Sequence, residues 1–332
     1  MTVWVACVAQ LLTVTMAQAQ LTSDRVRFYG YDDCIELKNE TTRVVLGHQA
    51  GGRVLAYELN GVNAIYLKPG QDGWVWDGET RTDLTGGRCD IGPEQLIPKR
   101  DALWLGPWEA EVLVPGQARL TSVEDAATGV KLVRDFALDP EGSRLTFTQT
   151  MRNVSDRVTR WCHWSRTFST GHGICVIPLD DRTKFPDGYI MYGPGRVMDF
   201  RPGDPNIIRD GDYLVVRDTP LRPKLGMDSM VGWFAYLTTD DLMFVKSYPT
   251  YPDRVYNEMA GLTISIWHKD DVVCELEPIG PMEVLNPGES ASFSETWQLA
   301  SFPFPGDRAV RAEAVARVVG GFRNAEGGFR GN

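Results

Sequence analysis

From residue 20 to residue 305 no apolar pattern of helical period persists for ten residues, and this constrains the fold more than any other feature of the chain. In its place stand short runs rich in β-branched and aromatic residues, divided by Gly, Pro, Asn and Asp. Arg53–Leu59, Glu109–Val114, Val130–Phe136, Arg144–Met151, Gly232–Leu237 and Leu242–Lys246 are examples. Several alternate: Leu145, Phe147 and Gln149 share one face, Thr146, Thr148 and Thr150 the other, as in antiparallel sheet buried on one side. Asn60-Gly61, Asp139-Pro140-Glu141-Gly142 and Asn286-Pro287-Gly288 suit hairpins between such runs. An open sheet rarely exceeds about ten strands without curling or splitting. The sequence therefore predicts an all-β fold: two large antiparallel sheets stacked as a β-sandwich, in one domain over residues 20–305.

The ends read differently. Residues 1–19 are apolar and uncharged and finish in Ala17-Gln18-Ala19, a small-x-small pattern. This resembles a secretory signal peptide, although no Lys or Arg stands near its start. The run is short for a bilayer, and Gln10 and Gln18 interrupt it, so the expectation is a secreted or periplasmic protein with no membrane span. Over residues 306–332, Asp307 can cap a short C-terminal helix from Arg308 to Val319. Gly320-Gly321 can end it, leaving a Gly- and Arg-rich tail expected to be disordered.

Two long segments interrupt the strand pattern. Lys68 to Trp108 holds Trp74, Trp76, Trp104 and Trp108; Pro178 to Pro223 holds Tyr189, Tyr192 and Phe200. Loops of this length inside a compact sandwich are commonly functional. The formal charge of −10 argues against nucleic acid, whose phosphates demand cations, and leaves a neutral or cationic small molecule as the expected partner. Beyond the leader stand five cysteines, Cys34, Cys89, Cys162, Cys175 and Cys274, scattered and without CxxC or His/Cys spacing. They read as buried thiols, with no metal site implied. A phosphate loop, an HExxH and a Gly-x-Ser-x-Gly elbow are all absent, so no cofactor is called for. Nothing in the sequence fixes an oligomeric state.

The chemistry concentrates near residue 276. Cys274-Glu275-Leu276-Glu277-Pro278 reads as a strand, and side chains alternate along a strand, so Glu275 and Glu277 share a face while Cys274 and Leu276 turn to the core. Two acids side by side on an apolar strand are costly unless that face is wet, paired or used.

Four patterns carry a family resemblance: Gly86-Gly87-Arg88-Cys89-Asp90-Ile91-Gly92-Pro93-Glu94, Asn153-Val154-Ser155-Asp156 followed by Arg160-Trp161-Cys162-His163-Trp164, Gly171-His172-Gly173 to Ile177-Pro178-Leu179, and Glu275-Leu276-Glu277-Pro278 to Trp297. In order and spacing, over about residues 30 to 300, they resemble the galactose-mutarotase-like superfamily, and within it the bacterial domain-of-unknown-function 4380 family. The resemblance implies a mutarotase-like supersandwich with a carbohydrate bound across one sheet face, and an aldose 1-epimerase-like activity or another acid/base reaction on a sugar. The superfamily also supplies domains to glycoside hydrolases and polysaccharide lyases, and a non-catalytic glycan-binding module is a further alternative.

Mutarotation requires a base at the anomeric hydroxyl and an acid at the ring oxygen. By the resemblance, Glu277 is the base and His163, a histidine followed by an aromatic, the acid. This chain lacks the His-Pro-Tyr of mutarotases around their first histidine. Read from the residues alone, Glu277 is equally a structural acid paired with Arg88 or Arg166, and His163, among Trp161 and Trp164, equally a core histidine. Arg88 and Glu94, flanking a Gly-rich segment, suit sugar hydroxyls or a uronate carboxylate, with structural pairing the alternative. Glu275, beside Glu277, or Glu94 would partner it in a two-carboxylate glycosidase. His172 between glycines is a candidate ligand contact, and Trp74, Trp76 and Trp104 are candidate stacking platforms for sugar rings or else core.

Overall fold

A computed structural model describes residues 21–325 apart from Asp270. The chain forms two large antiparallel sheets and two helices. One sheet runs in the order Thr22–Phe28, Tyr31–Lys38, Thr42–Gly47, Arg53–Leu59, Gly87–Gly92, Thr159–Thr170, Val273–Leu285, Ile264–Lys269, Lys224–Met227, Ile190–Tyr192 and Met198–Asp199, with Val62–Asn63 paired to Arg53–Leu59. The other runs Ile207–Asp210, Tyr213–Val216, Ile174–Pro178, Trp233–Leu237, Leu242–Ser247, Ser290–Ser301, Leu145–Asn153, Val130–Leu138, Gln117–Thr121 and Glu109–Val114. The strands read from the sequence are nearly all present. Arg53–Leu59 and Glu109–Val114 fall on the residues expected.

Residues of both sheets meet in one apolar core that includes Tyr57, Phe136, Phe147, Phe244 and Trp297. Rings there stand edge to face, as Phe147 does on Trp297 at 5.5 Å. Gly87 explains half of the Gly86-Gly87 pair: a Cβ on it would lie 2.7 Å from the Trp297 ring. Gly86 explains the other half, with φ at +112° beside the Val54 carbonyl, a backbone that favours glycine. The five cysteines are free and buried.

The C-terminal helix departs from the sequence expectation. It spans Ala312–Ala325, starting four residues later and running through Gly320-Gly321. Asp307 accepts from the nearby Ala309 N–H; the helix start is held instead by Asp210, whose Oδ2 accepts the Ala312 N–H at 3.0 Å. Ala312, Val315 and Val319 pack against the outer face of the second sheet, on Ile174, Val176 and Val245. Packing of that apolar stripe overrides the cost of the two glycines. The leader expected at residues 1–19 and the tail beyond Ala325 lie outside the described residues. Among the described residues no helix is long and apolar enough to cross a membrane.

Candidate active site

The first sheet carries a polar patch on its outer face, built by strand register. Arg88 pairs with Arg166 across the Gly87–Gly92 and Thr159–Thr170 strands. The flanking pairs Trp164 with Ile279 and Thr167 with Leu276 then set Arg166 opposite Glu277, and Glu277 pairs with Ser265. The next row reads Phe168, Glu275, Trp267, Lys224. Antiparallel partners point the same way, so these residues share one surface. Glu94 comes down on it from the turn after the cis Gly92–Pro93 bond, and Trp104 from the helix Asp101–Leu105.

Charge is dense here and largely out of water. The Arg166 Nε lies 3.6 Å from Glu277 Oε1 and 3.9 Å from Glu275 Oε1, and its other end reaches Glu94 Oε1 at 3.5 Å. Lys224 Nζ lies 2.9 Å from Glu94 Oε2 and 3.6 Å from Glu277 Oε2. Asp90 is clamped by both arms of Arg100, with Nε to Oδ1 at 2.8 Å. None of these contacts brings a hydrogen bond to Glu277 Oε1, Glu277 Oε2 or Glu275 Oε1, which are buried with no partner among the described residues. Bare carboxylate oxygens beneath a cleft are expensive, and they mark where a proton or a ligand hydroxyl is accommodated.

The electrostatics follow. Burial, and the neighbouring Glu277, push Glu275 up to about 8, against the pull of Arg166 and Lys224. Glu275 therefore favours its protonated form at neutral pH. Burial works against Arg166 and Lys224 as cations, yet the surrounding carboxylates hold both above their usual values. Glu94 is penalised by burial but lowered overall by Lys224 and Arg166. At the rim, burial raises Glu258 to about 7; it accepts from the Glu94 N–H and the Tyr192 hydroxyl.

Beside this patch lies a cavity of about 360 Å³, walled by Tyr66, Trp104, Phe168 and Trp267, with Arg88, Arg166 and Glu275 at its base. It falls in the usual size range of small-molecule sites. Two smaller hollows, each about 260 Å³, continue past Trp104 toward Arg81 and past Arg166 toward Glu94 and Arg100.

Comparison with solved structures identifies the architecture. A Synechocystis sp. PCC 6803 protein superposes over 86% of this chain and all of its own, with TM-score 0.56 and 15% identity. A galactose mutarotase-like protein from Clostridium acetobutylicum covers 85% of this chain and 99% of its own at TM-score 0.57 and 11% identity. The galactose 1-epimerase of Lactobacillus acidophilus NCFM covers 85% and 100% at TM-score 0.51 and 16% identity. The fold is galactose-mutarotase-like. No protein-family model and no curated protein matches the chain.

Within this mutarotase-like fold the residues expected from the sequence separate into three groups. Glu277, Glu275, Arg88, Glu94 and Trp104 converge on the patch and its cavity. Glu275 meets the cavity, whereas Glu277 lies beneath Arg166 and Lys224, fully buried. Trp74 and Trp76 do not line the cavity; they pack beside Trp104 against Leu84 and Leu105 and support the wall from behind.

His163 and His172 stand elsewhere. His163 faces the opposite side of the sheet, in the sandwich interior, stacked on Phe293 at 5.9 Å with Gln149 Nε2 3.3 Å from its Nδ1. Burial lowers it to about 4, so it is neutral at physiological pH and out of reach of any ligand in the cleft. A strand alternates, so the outward-facing Trp164 and Arg166 require His163 to face inward. His172 is exposed on the turn after Thr170, its Nδ1 3.5 Å from Asp218, and does not line the cavity. Sequence reading did not select Lys224, Asp90, Arg100, Trp164, Phe168 or Trp267, and named Arg166 only as a possible partner. Parity alone could have found three of these, because Asp90 is two residues from Arg88, Trp164 and Phe168 are two from Arg166, and all three project on one side.

Proposed function

We propose that the protein is a carbohydrate-active enzyme that performs acid/base chemistry at the anomeric centre of a sugar, with Glu275 and Glu277 as its working pair. The observation that carries this reading is the carboxyl pair itself: two buried carboxyls with bare oxygens, one of them raised by burial and its neighbour and opening on an aromatic-walled cavity. Tyr66, Trp104, Phe168 and Trp267 offer planes for the C–H faces of a pyranose, and Arg88 and Arg166 offer donors for its oxygens. The mutarotase-like fold supports the choice of a sugar as ligand and leaves the reaction to be argued from the site.

In this reading Glu275 replaces the carboxylate–histidine couple. Its protonated oxygen gives the proton to the ring oxygen as the bond from that oxygen to C1 breaks. Its second oxygen takes the proton from the anomeric hydroxyl as the C1 carbonyl forms. The proton count of the carboxyl is unchanged, and rotation about C1–C2 followed by the reverse steps delivers the other anomer. Burial and the neighbouring Glu277 favour the protonated form of Glu275, and Arg166 and Lys224 hold Glu277 in place.

The test is exchange NMR of anomer interconversion over a panel of aldoses, uronates and aldose phosphates, with wild type and Glu275→Gln. General acid/base catalysis contributes roughly 10²–10⁴-fold, so the variant is expected to lose activity on that scale while still binding sugar. Interconversion by Glu275→Gln at the wild-type rate overturns the reading. Sugar binding without interconversion by wild type supports the glycan-binding alternative instead.

A further inference from the structure

Arg88, at the base of the cavity with Glu275, belongs to an electrically one-sided cluster. Three arginines, Arg53, Arg88 and Arg134, are about 1% exposed, and none has a carboxylate within ion-pair distance among the described residues. Their donors go to neutral groups. Arg53 binds the Ala50 and Thr85 carbonyls and the Tyr31 hydroxyl; Arg134 binds the Gly51, Gly52 and Cys89 carbonyls and Gln149. Arg88 donates to the Trp104 and Leu84 carbonyls, stacks under the Trp104 ring, and keeps a buried Nε with no partner. Backbone carbonyls satisfy hydrogen bonds but do not cancel charge, so the positive field of this cluster remains in a low-dielectric region.

That field reaches the cavity through Arg88, which lines it together with Leu84 and Thr85. At the mouth stands Lys68, exposed, whose ammonium makes no ion pair among the described residues. The remaining charged groups of the cavity are already matched: Lys269 with Asp83 at 3.0 Å, and Arg166 with the Glu275–Glu277 pair. The surplus is therefore cationic, on a chain whose formal charge is −10. Net charge describes the whole surface; recognition depends on the groups a ligand meets.

We infer that the cavity takes an acidic sugar, a uronate whose carboxylate lies on the Arg88–Lys68 side and whose anomeric carbon lies toward Glu275. This rests on the sugar reading above and reverses the neutral or cationic partner suggested by net charge. A planar carboxylate of single charge matches the surplus: it compensates the arginine cluster and pairs with Lys68, while the hydroxyls of the ring remain for Arg166 and Glu275.

The experiment is calorimetric titration of the whole protein with glucuronate and galacturonate, with glucose and galactose, and with the two 6-phosphates, at low and at high salt. The uronates are expected to bind at least roughly tenfold more tightly than the neutral aldose of the same configuration, about 1.4 kcal/mol. The advantage is expected to shrink at high salt and in Lys68→Gln, a surface change that leaves the core intact. Arg88→Met, checked for folding by circular dichroism, is expected to abolish it; if that variant does not fold, Lys68→Gln and the salt series decide alone. Equal affinity for neutral and acidic sugars overturns the inference, and tighter binding of the 6-phosphates overturns the carboxylate in it. Preferred uronate binding with no Glu275-dependent interconversion sinks the proposed reaction but not this inference. Interconversion of neutral aldoses with no uronate preference does the reverse.

Discussion

Arg166 points outward from the Thr159–Thr170 strand, and its neighbours Ser165 and Thr167 point inward; each face meets a buried cation and a glutamate, on opposite terms. Inside, the fully buried Lys246 ammonium donates to Ser165 Oγ at 2.7 Å, Thr167 Oγ1 at 2.9 Å and the Leu276 carbonyl at 3.1 Å, and pairs with Glu295 at 3.0 Å. Glu295 also accepts from the Trp297 indole, and neither partner leaves an orphaned buried atom. Outside, Glu275 and Glu277 are as hidden from water but only reach the partly exposed Arg166 at ion-pair distance, with bare oxygens and a raised Glu275. A satisfied pair rigidifies; an unsatisfied one is poised for something to arrive. The two faces are also one unit, since the inner ammonium grips residues alternating with the outer ones: Ser165 and Thr167 around Arg166, Leu276 between Glu275 and Glu277.

The sharpest break between the faces is expected from Glu275→Gln. It is expected to reduce interconversion roughly 10²–10⁴-fold with no loss of stability, because it removes a buried group that pairs poorly. A pH titration of stability adds a signature. Burial and Glu277 raise Glu275 from 4.5 in the unfolded chain to about 8 when folded. The folded state then binds the extra proton, so its contribution is complete below about pH 4.5 and is lost as pH rises through about 8. Urea denaturation from pH 5 to pH 8, within that interval, is expected to show stability falling in wild type more steeply than in Glu275→Gln. Parallel slopes would remove the retained proton from the outer face.

Lys246→Met probes the inner face. Removing one partner of a buried pair leaves Glu295 uncompensated, and a loss of about 3–5 kcal/mol is expected by urea denaturation. Lys246→Met combined with Glu295→Leu is expected to recover much of it, less than the sum of the two single losses. Additive losses would show that the pair is not a unit.

The faces also explain what could be read from the sequence. Strand positions, the two-sheet architecture and the Glu275–Glu277 alternation follow from a period of two, which the sequence displays directly. The facing of the Thr159–Thr170 strand does not. Cys162, Trp164 and Phe168 look like its core side, and His163, Ser165, Thr167 and Ser169 like its solvent side. The chain inverts this, because Gln149, Lys246 and Glu295 from the opposite sheet fill the interior with polar partners. Those partners are more than a dozen residues away in sequence, so no local pattern announces them. The same limit hid Lys224, which reaches Glu277 only through two strand pairings.

His163 gives a smaller effect and a stricter check on the facing. His163→Phe keeps a ring against Phe293 and loses the Gln149 contact, so the expected stability change is within about 1.5 kcal/mol and activity stays within about twofold. Burial depresses the imidazole to about 4 from 6.5, so its contribution to stability is present above about pH 6.5 and lost as pH falls through about 4, and the variant is expected to resist acid better. A large loss of activity in a folded His163→Phe would return the histidine to the reaction.

The smallest effect is expected at His172. Its ring is about half exposed, its nearest acid is Asp218 at 3.5 Å, and its backbone sits at φ +59°, where a glycine is less strained than any side chain. Exposed ion pairs contribute about 0–1 kcal/mol, and relief of positive φ offsets that in His172→Gly. The variant is therefore expected within about 0.5 kcal/mol of wild type, with unchanged sugar affinity. A binding defect measured by calorimetry would mean that the ligand extends past the sheet edge to the Thr170–Ile174 turn, and the outer face would no longer account for recognition alone.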